Sequence, residues 1–234
     1  GNSLNYVKGL ELTKVEPTFL TEVEYNTTDK SGFEKAKKAA KEADVVVMVL
    51  GEHGFSTGEA RSRTNLDLPG LQQEFLEEIY KINPNIVLVL NNGRPLTISW
   101  AAEKIPTIVE AWQLGTETGN AVAQVLYGDY NPSGKLPMSF PRNIGQVPIA
   151  YNHYSTGRFT NKDNNVFWSH YSDVEKTPLY PFGYGLSYTT FEYSNLKINK
   201  KTFSKGEKVE VSVDLKNTGK VTGKEVAQLY LQDE

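Results

Sequence analysis

The 234-residue sequence contains no cysteine. Disulfide scaffolds, thiolate zinc sites, iron–sulfur clusters and cysteine nucleophiles are therefore excluded. Histidine is scarce. His53, His153 and His170 lie too far apart to form a helical metal motif. No run of about 18 apolar residues occurs, so no transmembrane helix and no membrane partner are expected. No charged-then-apolar leader opens the chain, so we expect no signal peptide within it. An excess of one charge is also missing: 25 Lys and Arg meet 28 Asp and Glu, interspersed, for a net charge of −3. A nucleic-acid partner, which selects a basic face, is not expected. With 38 % hydrophobic and 23 % charged residues, the composition is that of a folded chain. The length suits one large domain, or a medium domain plus a piece of another.

Strand and helix signals alternate along the first two-thirds of the chain. Residues 33–43 carry Phe and Ala at helical spacing among charges, after Asp29 and Ser31 as candidate caps. Asp44-VVVMVL-Gly51 is a continuous Val-rich run, which predicts a strand buried on both faces. A helix is expected from near Pro69, with Leu71, Phe75, Leu76, Ile79 and Tyr80 on one face. A second strand is expected over 86–90, a short helix over 99–103, a third strand over 107–112 and a helix over about 117–127. Strands separated by helices predict an α/β fold: a three-layer α/β/α sandwich on a mostly parallel sheet. From about 129 to 190, Pro, Gly, Tyr and Asn dominate and aromatic residues are frequent, a packed connector rather than a free linker. From 191 the period becomes two. Val209, Val211, Val213 and Leu215 share a face, and a further strand is expected at about 224–232. This reads as the start of a β-sandwich, which needs roughly seven strands, so the chain is expected to stop inside that domain. The expected organisation is 1–140, an α/β domain; 141–190, an aromatic-rich connector; and 191–234, a partial β-sandwich.

In open α/β sheets, ligands bind at the carboxyl ends of the strands. The segment Gly51-EHGFSTGEARS-Arg63 sits at such an end, with two carboxylates, a His and two Arg. A Glu serves as a general acid when partial burial raises its pKa from about 4.3 towards 6–7. The same residues equally suit a solvated loop with surface ion pairs. The segment lacks the glycine spacing of phosphate-binding loops, and no Gly-x-Ser-x-Gly elbow occurs. Trp100 and Trp112 are expected in the core, whereas Trp168 and Tyr154 are better placed to reach a neighbouring surface.

Several long motifs then carry a resemblance. Gly51-EHGFSTGEARSRTNLDLP-Gly70 looks like the acid/base loop of glycoside hydrolase family 3. Val87-LVLNNGRPLTIS-Trp100 resembles the strand that follows it there. Ala111-WQLGTETGNAVAQVLYGDYNPSGKLPMSFP-Arg142, Val147-PIAYNHYSTG-Arg158 and Leu179-YPFGYGLSYTT-Phe191 match in the same order. The nearest branch is that of bacterial, periplasmic-type β-glucosidases, whose final β-sandwich is fibronectin-III-like. The resemblance implies a retaining mechanism with two carboxyl groups and no metal or organic cofactor. It implies an Asp nucleophile in an N-terminal TIM-like barrel, and the acid/base Glu in the α/β domain. The chain is expected to begin just after that barrel and to be inactive alone. Glu59, with Arg63 four residues on, fits the family spacing for the acid/base; Glu52 is the runner-up. Arg63 is expected to anchor the loop to a carboxylate, and Arg61 and His53 to line the pocket. The implied substrates are terminal, non-reducing β-D-glucosides, and the implied location is periplasmic or secreted.

Two readings compete. One is a β-xylosidase-type member of the same family. The other is a non-catalytic carbohydrate-binding or packing module, in which Glu59 is merely exposed.

Overall fold

The computed structural model describes residues 3–154, 167 and 169–232. Trp168 and the end of the motif running to Arg158 lie outside them. The chain forms two units: Gly1–Thr118 with Met138–Phe182, and Gly119–Pro137 with Gly183–Glu234.

In the first unit three apolar runs form a parallel sheet in the order β1 (Val46–Gly51), β2 (Ile86–Asn91), β3 (Thr107–Glu110). Val46 pairs with Ile86 and Gly51 with Asn91; Val87 pairs with Thr107 and Leu90 with Glu110. The central β2 is the buried strand, with Ile86, Leu88 and Leu90 fully buried and Val89 nearly so. The edge strand β1 departs from expectation. Met48 and Leu50 are buried, but Val47 and Val49 stand 46 % and 63 % exposed, as does Val45 just before the strand at 47 %. Burial on both faces requires a cover on each side, and the described residues cover only the Met48 face.

Helices α1 (Phe33–Glu42), α2 (Gln72–Ile82) and α3 (Ser99–Lys104) follow the sequence signals closely. Phe33, Ala36 and Ala40 form the buried stripe of α1; Phe75, Leu76 and Ile79 form that of α2. The Phe33 and Phe75 rings meet at 4.7 Å. Asn83 donates to the Ala40 and Ala43 carbonyls at 3.0 and 2.8 Å, closing the open carboxyl end of α1. No side chain caps the start of α1. Asp29 instead accepts from the Ser31 amide at 2.9 Å, one turn too early. Asn26, which heads an Asn-Thr-Thr triplet, is 3 % exposed and donates to the Glu11 and Asp29 carbonyls.

The described residues between 138 and 182 belong to this unit and are held by aromatic packing and side-chain hydrogen bonds. Phe140 is 1 % exposed, edge-on to Trp112 at 5.8 Å and to Tyr180 at 6.3 Å. The buried Gln146 accepts from the Arg142 amide and donates to the Glu175 carbonyl. Trp100 packs edge-on to Tyr80, and Tyr154 is almost fully exposed. No helix among the described residues is long and apolar enough to cross a membrane.

The second unit holds most of α4 (Thr118–Leu126) and an antiparallel pair, β4 (Phe191–Ile198) and β5 (Val211–Asn217). The strand expected at 224–232 does not form among the described residues. A strand needs a ladder partner. Here side chains hold the segment instead: Gln228 donates to the Gly183 carbonyl at 3.0 Å, and Glu225 pairs with Lys135 at 3.1 Å. Val213 and Leu215 remain 40 % and 44 % exposed, because two strands cannot cover a face.

Candidate active site

The parallel arrangement brings Gly51, Asn91 and Glu110 to one end of the sheet. Gly51 has φ +142, and a Cβ there would collide with the Asn91 carbonyl, so the position requires glycine. Gln72 locks it: the Gly51 amide donates to Oε1 and Nε2 donates to the Gly51 carbonyl, each at 2.7 Å.

The chain then turns the Glu52 side chain inward, where it is fully buried. Arg63 Nη1 lies 2.7 Å from its Oε1, and Arg94 Nε lies 3.1 Å from the same oxygen. The Gly93 amide donates to Oε2 at 3.2 Å. Two cations and a backbone donor satisfy the carboxylate, as burial of a charge demands. Both oxygens are occupied and shielded from solvent.

Beyond Glu52 a single 3₁₀ turn spans Gly54–Ser56. His53 caps it, accepting from the Phe55 amide through Nδ1 at 3.1 Å. The His53 amide donates to the Tyr25 hydroxyl at 3.3 Å. Arg94 Nη2 donates to the Ser56 carbonyl at 2.5 Å, and Gln113 Nε2 donates to the Thr57 hydroxyl at 2.8 Å. Arg61 pairs with Glu22 at 3.1 Å and donates to the Phe19 carbonyl at 3.0 Å. The tip turns at Gly58 (φ +118) and Ala60 (φ +58), and Glu59 stands exposed between them. Among the described residues its carboxylate meets no hydrogen-bond donor and no cation.

Two further groups lie at this end of the sheet. Glu110 accepts from the Trp112 amide at 3.0 Å, and Asn92 Nδ2 lies 3.4 Å from its other oxygen. Burial pushes the Glu110 carboxyl up to about 7, against these two hydrogen bonds. Asn92 is fully buried; its Nδ2 donates to the Arg94 carbonyl, and its Oδ1 has no partner among the described residues. Arg94, Asn92, Glu110 and Gln113 were not singled out from sequence. Each follows β2 or ends or follows β3, so the rule that selects residues 51–63 also points to them. Among the described residues no cluster of His, Asp and Glu is placed to hold a metal ion.

Comparison with known proteins agrees with this architecture. Residues 3–188 match the glycosyl hydrolase family 3 C-terminal domain. The chain is 49 % identical over 201 residues to a periplasmic β-glucosidase of Salmonella typhimurium, covering 86 % of this chain and 26 % of that protein. It is 43 % identical over 231 residues to a β-xylosidase of Formosa agariphila, covering 99 % of this chain and 29 % of that protein. Among solved structures, a β-glucosidase from Listeria innocua in complex with glucose superposes with a TM-score of 0.78 at 39 % identity, over 84 % of this chain and 27 % of that one. The chain thus spans between a quarter and a third of these proteins' length. With several motifs, the parallel sheet and the matched domain in agreement, the chain belongs to glycoside hydrolase family 3, and residues 3–188 correspond to its C-terminal domain.

Proposed function

We propose that this chain supplies the acid/base half of a retaining β-glucosidase, with Glu59 as the acid/base. The observation that carries the reading is the contrast within one segment. Of its two carboxylates, Glu52 is buried between Arg63 and Arg94, whereas Glu59 stands bare at the tip. A residue that exchanges protons with a substrate must be reachable, and only Glu59 is.

In the first step Glu59 donates its proton to the glycosidic oxygen as the C–O bond breaks. An Asp nucleophile, supplied by an N-terminal barrel domain, forms the glycosyl–enzyme bond. In the second step the Glu59 carboxylate takes a proton from water, and the resulting hydroxide displaces the Asp. No metal or organic cofactor enters this scheme. The substrates are terminal, non-reducing β-D-glucosides, in keeping with the β-glucosidase names of two of the similar proteins. The relative named periplasmic supports a periplasmic or secreted location. A β-xyloside is the second reading, favoured by the β-xylosidase whose similarity covers 99 % of this chain.

The test compares Glu59→Ala with the unaltered enzyme, in a protein that joins this chain to its N-terminal domain. Aryl β-glucosides of graded leaving-group quality are hydrolysed with and without azide. The reading expects a large loss for poor leaving groups, a small one for good ones, and formation of glucosyl azide. Near-normal turnover of every substrate would sink it. A higher kcat/KM on aryl β-xylosides would select the second reading.

A further inference from the structure

Arg94 leaves the end of β2 and grips residues 51–63 at two places at once. Its Nε pairs with Glu52 Oε1 at 3.1 Å, and its Nη2 donates to the Ser56 carbonyl at 2.5 Å. One planar group therefore ties the buried root of the segment to the far end of its 3₁₀ turn. Gln113, beyond β3, adds a bond to Thr57 at 2.8 Å. Only Gly58 then separates the last anchored residue from Glu59.

We propose that Arg94 is a positioning residue for Glu59, setting where the tip leaves the scaffold. The inference rests on the acid/base reading of Glu59. Arg94 is 19 % exposed and acts through the backbone of Ser56. The role needs the rigid fork of a guanidinium, because the rotating donors of a lysine ammonium cannot hold two separated acceptors at a fixed angle. Arg63 also pairs with Glu52, but its second bond goes to the Asp67 carbonyl, away from the tip. Loss of Arg94 consequently leaves Glu52 paired and removes the link to Ser56.

The test uses the enzyme containing this chain and its N-terminal domain, as R94M, R94K, E59Q and R94M/E59Q. Phenyl β-glucoside is the poor-leaving-group substrate and 2,4-dinitrophenyl β-glucoside the good one. R94M should lower kcat/KM about 30- to 100-fold on the phenyl glucoside and less than about threefold on the dinitrophenyl glucoside, the scale of a misplaced catalytic group. R94K should fall between R94M and the unaltered enzyme on the phenyl glucoside. In the E59Q background R94M should add less than about a further twofold, because both changes then act through one group. Additive losses, or equal losses on both substrates, would overturn the positioning role. Amide exchange over Ser56–Ala60 should quicken about tenfold or more in R94M as the clamp opens. Unchanged exchange overturns the role whatever Glu59 does, whereas E59Q without leaving-group dependence overturns the acid/base reading alone. If R94M does not fold, R94K carries the same comparisons.

Discussion

Glu52 and Glu59 occupy one short segment, and the fold treats them in opposite ways: the first is sealed between two guanidinium groups, the second is left bare at a turn. The stability of the chain should reveal this division. Glu52→Ala removes a fully buried carboxylate and strands Arg63 and Arg94, so a loss of about 3 kcal/mol is expected. Glu59→Ala should change stability by no more than about 0.5 kcal/mol. Urea unfolding of the two variants measures both. A Glu52→Ala loss below about 1 kcal/mol would contradict the buried ion pairs.

Gly93 passes directly beneath Thr57. A Cβ at Gly93 would lie 2.6 Å from Thr57 Cγ2, so alanine must push the Thr57 side chain aside. The bond from Gln113 to Thr57 should weaken with it. Gly93→Ala is expected to cost about 1–3 kcal/mol, the range for overpacking, and thermal unfolding provides the check. An unchanged midpoint would mean that Thr57 moves freely at this point.

Glu110 gives the chain a pH dependence of defined sign. Burial raises its carboxyl in the folded state to about 7, from an ordinary value of 4.5. Below pH 4.5 both states hold the proton and nothing is lost. As pH climbs from 4.5 to about 7, the unfolded chain releases the proton first, so the folded state loses ground. Above about 7 the effect levels off, at an order of 3 kcal/mol. Glu110→Gln should flatten this part of the stability profile. An identical slope in that variant would rule out Glu110 as its source.

Val49 and Val89 are register partners on neighbouring strands, yet Val49 is 63 % exposed and Val89 1 %. Val89→Thr buries a hydroxyl and should cost about 2 kcal/mol. Val49→Thr should stay within about 0.5 kcal/mol. Chemical denaturation of the pair tests whether the Val49 side of β1 is open in this chain, and equal costs would show that it is covered.

Much of the first unit was legible in the sequence. Val-rich runs marked β1 and β2, and the spacing of Phe75, Leu76 and Ile79 marked α2, because both signals are local. The candidate site is legible because parallel strands gather the loops that follow them at one end. What separates Glu52 from Glu59 was less accessible, since it depends on Arg94, 42 residues away from Glu52 along the chain. The openness of Val47 and Val49 likewise depends on which neighbours cover them, and alternation says nothing of that. The 224–232 segment alternates well enough for a strand, but alternation supplies no partner for its backbone.

The path of the chain has a consequence for how the protein is made. The first unit is interrupted after Thr118 and resumes at Met138, and Phe140 is the residue that fills the space beside Trp112. Domains are synthesised and fold from the amino end, but this unit cannot close while only its first stretch has left the ribosome. Trp112, held at a left-handed φ of +49, waits for Phe140 and then for Tyr180 before its surroundings are complete. The sheet that carries Glu59 is thus made early and finished late, and its final packing depends on residues translated after the helix α4 that belongs mostly to the other unit.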